Sequence, residues 1–392
     1  MENEVKNMKN KKFSLARLSK GALVALICIL VVVIILAGAL VGAFFALKTA
    51  GRASFADRRD DATEIEYEFD PEVVTFNGKR YRPRKDLTSF LFMGVDTGLE
   101  EYQMKVSLEN WFRSEMERTG DSYEKVYGEW LERRKKAGKG AELCDEELIA
   151  AGQADVLLLV VLDEKNQSAE IISIDRNSMS YFEVFDPTGN SMGVSEAQLC
   201  LSYSYGDGKH ESCKKTVSAV SDFLYEIPIH AYYSMKYMAI REVNDAIGGV
   251  EVQIKDDMSA VDERFVTGEK ISLDGELAGK YLTARMNVGN GSNEERLTRH
   301  REYILSFIKT AIGAVKKDLS LPFELYNKIA DNSTTDLSVD EIVYLATLAT
   351  ELDISFHSIE GTTDSSGTFD EFRPDDDALW QLILDIFYIC EE

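Results

Sequence analysis

Two short apolar runs separated by a polar turn, within ADVLLLVVLDEKNQSAEIISIDR (154–176), constrain the fold of this chain more than any other feature. The runs 156–162 and 169–174 are rich in Val, Ile and Leu, and residues 163–167 between them are polar. Short runs of this composition joined by a polar turn predict two buried strands paired as a hairpin. A central sheet is therefore expected to form around this hairpin.

One charged residue lies at the margin of each predicted strand. Asp155 stands where the first strand begins, and Arg176 stands just past the end of the second. In an antiparallel hairpin these two positions lie at the same edge of the sheet. A carboxylate and a guanidinium should therefore project from one rim, where sites are commonly placed. A purely structural ion pair explains these two residues equally well.

The segment before the hairpin contains further strand and helix patterns. Asn77 and Gly78 form a typical hairpin turn within VVTFNGKRYRP. The stretch SFLFMGVDTG (89–98) predicts a core strand with Asp96 at its C-terminal tip, where α/β sheets place functional groups. Residues 99–150 are charge-dense with aromatic residues at helical spacing, which predicts a helical insertion. The simpler interpretation is that this insertion is a solvent-exposed structural segment without a functional role.

Helical and strand patterns alternate after the hairpin. Residues 212–227 and 232–246 have helical apolar spacing, and the second of these segments ends at two glycines. The run VEVQI (250–254) predicts a strand, and LDGELAGKYLTAR (273–285) predicts another helix. Strands alternating with helices on a mixed sheet predict an α/β or α+β sandwich.

The C-terminal part of the chain, 317–392, is predicted to be mainly helical. An amphipathic helix is expected to be capped within residues 334–336, and an acidic Gly/Ser/Thr linker is expected at 360–377. The last stretch, 379–392, has apolar residues at helical spacing. Its apolar part is only about ten residues long, so it should pack on the core and not cross a membrane.

Residues 21–47 contain no charge and are long enough to span a bilayer. Lysines and an arginine precede them, so the positive-inside rule places residues 1–20 in the cytoplasm and the chain after about residue 48 outside. A cleaved signal peptide would have an apolar region of only ~7–15 residues. We therefore expect a single-pass membrane protein with a cytoplasmic N-terminus, a juxtamembrane segment at 48–88 and an extracytoplasmic domain.

The charge balance limits the partners of that domain. The formal net charge is −24, with 68 Asp and Glu against 44 Lys and Arg. Such a chain repels nucleic-acid phosphates, which argues against a nucleic-acid partner. An anionic ligand would then need a local cluster of arginines.

Such a cluster is predicted where a flexible glycine-containing loop leads into a helix that Asn293 can cap. Arg296 and Arg299 are three residues apart, so they share one helix face, with His300 adjacent to it and Arg285 before the loop. Guanidinium groups delivered to one place indicate an oxyanion ligand, phosphate or pyrophosphate above all, because their planar fork binds such groups bidentately. Surface charge paired with neighbouring glutamates is the alternative.

The cysteine and histidine pattern does not support a zinc site. No CxxC pair occurs, and the four histidines are scattered. Cys200 and Cys213 flank a short loop and could form a disulfide outside the cytoplasm, or they could be reduced, buried thiols.

Several motifs, taken in order, resemble the LytR-CpsA-Psr family: LFMGVD, ADVLLLVVLD, IISIDR, AIGGVEV and the AR…R..RH helix. The resemblance runs from about residue 89 to 305 and is interrupted by the insertion. It implies an α-β-α sandwich domain at 89–316, with a mixed central sheet, helices on both faces and an apolar tunnel, followed by a helical extension at 317–392. It also implies an extracytoplasmic phosphotransferase of Gram-positive cell walls. Members move an anionic glycopolymer, such as teichoic acid or capsule, from a polyprenyl-pyrophosphate carrier to peptidoglycan.

The resemblance also implies roles for individual residues. Asp96 and Asp155 would hold Mg²⁺ (or Mn²⁺), and Asp96 could take the proton of the acceptor hydroxyl. Asp96, Arg176 and Arg296 are the expected catalytic residues. The expected pyrophosphate-binding residues are Arg176, Arg285, Arg296, Arg299 and His300.

Some positions depart from the family pattern. Asp175 replaces the common proline, and the other substituted positions carry polar groups in place of arginine, acid or glutamine: Gln153, Asn177, Thr283, Asn293 and His300. These changes leave two alternatives to the transferase, which are a non-catalytic binder of polyprenyl-pyrophosphate lipids and a lipid pyrophosphatase that uses water as the acceptor.

Overall fold

The computed structural model describes residues 42–59, 73–96, 111–136, 152–185, 191–284, 288, 293–367 and 369–391, with the side chains of 293–297 excepted. The strands are β1 (Val74–Phe76), β2 (Lys79–Pro83), β3 (Thr88–Asp96), β4 (Gln153–Asp163), β5 (Ser168–Ile174), β6 (Met179–Phe185), β7 (Ser191–Gln198), β8 (Ala231–Lys236), β9 (Val250–Gln253), β10 (Lys270–Leu273), β11 (Ser333–Thr335), β12 (Asp353–Ser358), β13 (Gly361–Asp364), β14 (Glu371–Pro374) and β15 (Tyr388–Glu391). The helices are α1 (42–59), α2 (111–119), α3 (Tyr123–Lys136), α4 (His210–Phe223), α5 (Ala239–Ala246), α6 (Gly275–Thr283), α7 (Asn293–Lys317), α8 (Leu321–Ile329), α9 (Val339–Leu348) and α10 (Asp376–Phe387).

A six-stranded mixed sheet in the order β11-β8-β3-β4-β5-β12 forms the centre of the fold. The pair β4–β5 is antiparallel, so the predicted hairpin is confirmed, and β3 pairs antiparallel with β4 as the second core strand. The strands β8 and β12 run parallel to their inner neighbours β3 and β5.

The two faces of this sheet bury different layers. On one face, Leu91, Leu159 and Ile172 pack against α4 and α10 in a continuous apolar core. On the other face, α1, α7 and α9 cover the sheet. Successive side chains of a strand point to opposite faces, which divides the apolar residues of β3 and β4 between the two layers. The result is a mixed α/β sandwich with helices on both faces, as predicted.

Smaller sheets surround the central one. The turn at Asn77 and Gly78 connects β1 and β2, both residues have positive φ (49° and 77°), and this predicted hairpin is confirmed. The last strand, β15, adds to the same small sheet beside β2. The strand predicted at 250–254 forms as β9, but it pairs with β10 outside the central sheet.

Three predictions about local structure are wrong. The predicted helix 232–246 begins as the strand β8, because alternate side chains of AYYSMK pack on the two faces of the sheet, and only its second half is helical. The cap of α9 is Ser338, which forms a capping box with Glu341, because residues 333–335 pair with β8 as β11. The predicted linker 360–377 forms the hairpin β13–β14 instead.

The C-terminal segment is part of the central architecture. Its strands β11 and β12 lie at the two edges of the six-stranded sheet, and its last helix packs on the core through Leu379 and Ile383. The segment predicted as a helical extension therefore also supplies edge strands. In the predicted insertion 99–150, α2 and α3 form a small apolar cluster around Phe112 and Trp130.

Helix α1 packs closely on α9. A Cβ on Gly51 would lie 2.0 Å from the backbone oxygen of Asp340, so only glycine permits this approach. Phe55 is fully buried. Arg58 donates through Nε to Oε1 of the fully buried Glu341 at 2.7 Å and through Nη2 to Oε2 at 3.1 Å, a bidentate pair.

The predicted membrane span, 21–47, lies mostly outside the described residues. Among the residues that are described, no helix combines the length and apolar character that a bilayer crossing requires.

We expect Glu341→Ala to lower the free energy of unfolding by about 3 kcal/mol, because it leaves the guanidinium of Arg58 without its main partner. Urea denaturation of a fragment that comprises residues 42–392 measures this loss. The neighbouring, part-exposed Asp340→Ala should cost less than about 1 kcal/mol. Equal losses in the two variants would contradict the importance of the pair.

The effect of Glu341→Ala should depend on pH. Burial raises the pKa of the Glu341 carboxyl, but hydrogen bonds from Arg58, Ser338 and Ser54 outweigh burial and lower that pKa below its usual value of 4.5. A lowered pKa stabilises the fold above the unfolded-state value, and this stability is lost as pH falls through the folded-state pKa. The difference between wild type and variant should therefore be full at neutral pH and shrink below about pH 4.5.

Candidate active site

A β-bulge places Asp155 at the end of the central sheet. Gly94 of β3 pairs with Val156, whereas Val95 pairs with Ala154, so Asp155 is the extra residue of the bulge. A Cβ on Gly94 would lie 2.9 Å from the Cβ of Val156, so glycine permits the close approach of the two strands.

The bulge changes which side chains of β4 face the side of the sheet that α7 and α9 cover, called here the covered side. Ala154 and Leu157 point into the core on the other face. Both Asp155 and Val156 line the covered side, although they are consecutive. Regular alternation would point them to opposite faces. Asp96 lines the same side at the tip of β3, so the bulge brings both predicted acids to one end of the sheet.

Arg176 is held at this end by several side chains. It forms an ion pair with Asp155, donates from Nη2 to Oε1 of Gln153 at 2.9 Å, and donates from Nε to Oδ1 of Asn177 at 3.4 Å. The side chains of Arg176 and Asp155 are 22% and 23% exposed, so the pair is partly accessible. Gln153 and Asn177 are positions where the chain departs from the family pattern, and both help to orient the arginine.

A cavity of about 820 Å³ extends from these polar residues between the sheet and the helices α7 and α9. Its polar end contains Asp96, Gln153, Asp155, Arg176, Tyr237, Thr283 and His300. Its walls are otherwise apolar, with representative residues Phe92, Leu158, Leu162, Ile304, Phe307, Ile308, Ala311, Ile312, Leu345 and Leu352. The volume lies in the upper part of the range of small-molecule sites. The arrangement suits a ligand with one charged end and a long apolar body.

The predicted arginine helix is only partly described. Arg285 lies outside the described residues, and of Arg296 the structure describes only the helical backbone. Their predicted contacts with an anionic ligand therefore stay predictions.

Arg299 is 5% exposed and holds the turn that follows α6. It donates from Nε to the carbonyl of Tyr281 at 3.2 Å and from Nη2 to the carbonyl of Ala284 at 2.5 Å, and its Nη1 lies 3.6 Å from a carboxyl oxygen of Asp256. These partners engage the guanidinium within the protein. Direct binding of pyrophosphate by Arg299 stays a prediction. His300 lines the cavity, with Nε2 2.8 Å from the carbonyl oxygen of Leu282.

The chemistry of the polar end is compatible with a magnesium ion. No group of three or more His, Cys, Asp or Glu side chains is arranged to hold a metal within the described part of the chain. Mg²⁺, however, is commonly bound by one or two carboxylates together with substrate phosphates. Asp96 and Asp155 provide two such carboxylates at one end of the cavity.

The two cysteines that flank the loop 201–212 are free thiols. Cys200 and Cys213 are both buried and unpaired with each other, which decides between the two interpretations of the sequence. Burial raises the pKa of the Cys200 thiol to about 11 and that of Cys213 to about 12. A raised pKa keeps both thiols protonated at neutral pH, and a protonated thiol is a poor nucleophile.

Two features of the site escaped the sequence interpretation. Tyr237 lines the polar end, and its hydroxyl donates to the carbonyl of Gly279, but it lay in a segment that the pattern assigned to a helix. The apolar wall of α7 was missed as well. Its signal was present in Tyr303, Phe307 and Ala311, which recur at helical spacing after the arginines.

Comparison with protein families gives one match that covers more than half of the chain. The model described as the LytR_cpsA_psr family matches residues 134–383. The matched region begins near the end of α3, after β3, and ends within α10, so it includes the strands at both edges of the central sheet.

Two curated proteins illustrate the relatives. The chain is 26% identical over 207 residues to the polyisoprenyl-teichoic acid–peptidoglycan teichoic acid transferase TagU of Enterococcus faecalis, covering 53% of this chain and 62% of that protein. It is 29% identical over 199 residues to TagV of Bacillus subtilis, whose name states the same activity, covering 48% of this chain and 46% of the relative. The chain thus spans less than two thirds of each of these proteins.

Solved structures share the fold. The crystal structure of B. subtilis TagV superposes with a TM-score of 0.50 at 21% identity, covering 77% of this chain and 96% of that one. The protein gbs0355 of Streptococcus agalactiae superposes with a TM-score of 0.54 at 18% identity, covering 77% and 86%. At these identities the likeness supports the mixed α/β fold and nothing finer.

We expect Ala311→Trp to fill the cavity and to weaken binding of a fluorescent apolar probe such as phenylnaphthylamine roughly tenfold or more. Fluorescence titration of a fragment that comprises residues 42–392 measures this affinity. The exposed Ala330→Trp is the matched control and should bind the probe as wild type does. Unchanged binding by Ala311→Trp would mean that the probe site lies elsewhere.

Proposed function

The chain belongs to the LytR-CpsA-Psr family, and we propose that it is an extracytoplasmic phosphotransferase of cell-wall assembly. In this proposal it moves an anionic glycopolymer, of the teichoic acid or capsule type, from a polyprenyl-pyrophosphate carrier to peptidoglycan. The teichoic acid transferase activity stated in the names of the TagU and TagV relatives supports this assignment.

The observation that carries the proposal is the division of one cavity into a charged end and an apolar body. Asp96, Asp155 and Arg176 lie at the charged end, and apolar side chains of the sheet, α7 and α9 line the remainder. A polyprenyl pyrophosphate has the same division. Its apolar chain would be removed from water by the walls, and its phosphates would remain beside the guanidinium.

Arg176 would bind and orient the pyrophosphate. A guanidinium stays charged at all accessible pH values and presents a planar fork to phosphate oxygens. Its hydrogen bonds to Gln153 and Asn177 hold that fork in place before the substrate binds. Such preorganised charge stabilises the additional negative charge of a phosphoryl-transfer transition state.

We propose that Asp96 and Asp155 hold Mg²⁺ or Mn²⁺ beside the phosphates. When bound, the ion would neutralise phosphate charge and polarise the reacting phosphoryl group. The ion pair of Asp155 with Arg176 keeps this carboxylate at the polar end of the cavity.

Asp96 is the proposed general base. It would take the proton of the acceptor hydroxyl as the hydroxyl oxygen attacks the phosphorus that carries the glycopolymer. The bond from that phosphorus to the bridging oxygen of the pyrophosphate then breaks, and polyprenyl phosphate leaves with the bonding electron pair. No nucleotide is consumed, which suits a reaction outside the cytoplasm.

The proposed location is the cell membrane, with a single pass and a cytoplasmic N-terminus. It rests on the uncharged segment 21–47 and on the basic residues before it.

We expect Asp96→Asn to reduce transfer roughly a hundredfold or more, because a general base contributes that much to the rate. Arg176→Lys should also lose about tenfold or more, because a lysine cannot maintain contacts with Asp155, Gln153 and Asn177 together. Release of polyprenyl phosphate from a radiolabelled carrier, with peptidoglycan fragments and Mg²⁺ present, measures the rate. Asp353→Asn, an exposed substitution on β12, is the control.

The outcome of the same assay separates the alternatives. Transfer that persists in Asp96→Asn would remove the general base from the mechanism. Tight carrier binding without turnover in wild type would indicate a binder. Release of polyprenyl phosphate in the absence of the peptidoglycan acceptor, with water taking its place, would indicate a lipid pyrophosphatase.

A further inference from the structure

Helix α1 connects the predicted membrane span with one end of the cavity. Lys48 Nζ lies 3.3 Å from Oε1 of Glu351, and Arg52 Nη2 lies 3.2 Å from Oε2 of Glu164. Leu352 follows Glu351 directly in the chain, and Leu162 lies two residues before Glu164. Both leucines line the cavity at the end opposite to the charged residues.

The contacts of α1 make it an integral part of the domain and not a flexible tether. The close approach at Gly51, the buried ring of Phe55 and the bidentate pair between Arg58 and Glu341 join the second half of α1 to α9. The residues of α9 that line the cavity therefore have a fixed position relative to α1. The orientation of α1 must determine the orientation of the cavity.

The N-terminal turns of α1 lead directly to the predicted span. That span ends at Leu47, one residue before the ion-paired Lys48. Phe45 is 60% exposed and Leu47 is 37% exposed, so apolar side chains in this part of the helix are not covered by the domain. The change from exposed apolar residues to ion-paired basic residues is typical of a membrane boundary.

The charged end of the cavity lies far from this boundary. Along β4, Asp155 and Leu162 are seven residues apart, which corresponds to ~23 Å of strand. Glu164, beyond Leu162, contacts α1, whereas Asp155 lies at the opposite end of the strand.

We propose that docked α1 holds the domain on the phospholipid bilayer with the apolar end of the cavity beside the membrane and the charged end facing away from it. This inference rests on the proposed function for the identity of the ligand. The carrier would then lie with its phosphates at Asp96 and Arg176 and its chain directed back to the bilayer. The reacting phosphorus would be raised toward the cell wall, where the acceptor is located.

Fluorescence quenching in vesicles tests this orientation without any requirement for activity. The full-length chain, with Cys28, Cys144 and Cys390 replaced by serine, is reconstituted in phosphatidylcholine–phosphatidylglycerol vesicles. A fluorophore is attached after Asp353→Cys, at the α1 end of the sheet, or after Met238→Cys, next to Tyr237 at the charged end. Both positions are exposed, and the remaining cysteines are buried.

Nitroxide lipids should quench the label at position 353 several times more strongly than the label at position 238. Equal quenching, or stronger quenching at 238, would overturn the proposal.

A flexible insertion tests the role of α1 in the reaction. A Gly-Ser linker between Leu47 and Lys48 should abolish the difference in quenching and reduce transfer from a vesicle-embedded carrier about tenfold or more. Transfer from a short-chain carrier in detergent should be unchanged. The same linker after Ser366, in the β13–β14 loop, is the control and should change neither rate.

The two proposals fail in different ways. A linker variant that retains the quenching difference and transfers from vesicles at the wild-type rate would contradict the role of α1. If wild type transfers nothing from either carrier, the proposed function fails, and the quenching comparison still decides the orientation.

Discussion

The β-bulge at Asp155 is the constraint on which the site depends. It places two consecutive residues of β4, Asp155 and Val156, on the same side of the sheet. The carboxylate therefore lies at the polar end of the cavity, and the alternate apolar residues that follow in β4 line the same cavity. Gly94 permits the close strand approach that the bulge requires. Without the extra residue, strand residues would alternate regularly between the two faces. Either Asp155 or the apolar residues that begin at Val156 would then point away from the cavity. A bulge next to an active site commonly has this effect on a side chain.

The cavity combines this rim with walls from distant parts of the chain. The sheet supplies one wall, α7 supplies another, and α9 completes it from the C-terminal region. Arg176 is held at the rim by an ion pair and by amide oxygens of Gln153 and Asn177. These polar substitutions hold the guanidinium in place at the position where we propose that the pyrophosphate binds.

The parts of the fold that depend on local pattern could be predicted from the sequence, and the parts that depend on distant contacts could not. The central hairpin and the strand that ends at Asp96 follow from short apolar runs. The strand β8 could not be recognised, because its aromatic residues also fit helical spacing and its partners lie far away in the sequence. Helix spacing places Arg299 and His300 on adjacent faces of α7, but it does not predict which of the two residues lines the cavity. The structure engages Arg299 with backbone carbonyls and brings His300 to the cavity.

The central claim is that one cavity holds a polyprenyl pyrophosphate with its phosphates at the charged rim. A crystal structure of residues 42–392 with a polyprenyl pyrophosphate and Mn²⁺, located by anomalous scattering, tests this arrangement. We expect manganese beside Asp96 and Asp155, phosphate oxygens on Arg176, and the lipid chain between the sheet and α7. A lipid chain bound outside this cavity, or phosphates away from Arg176, would contradict it.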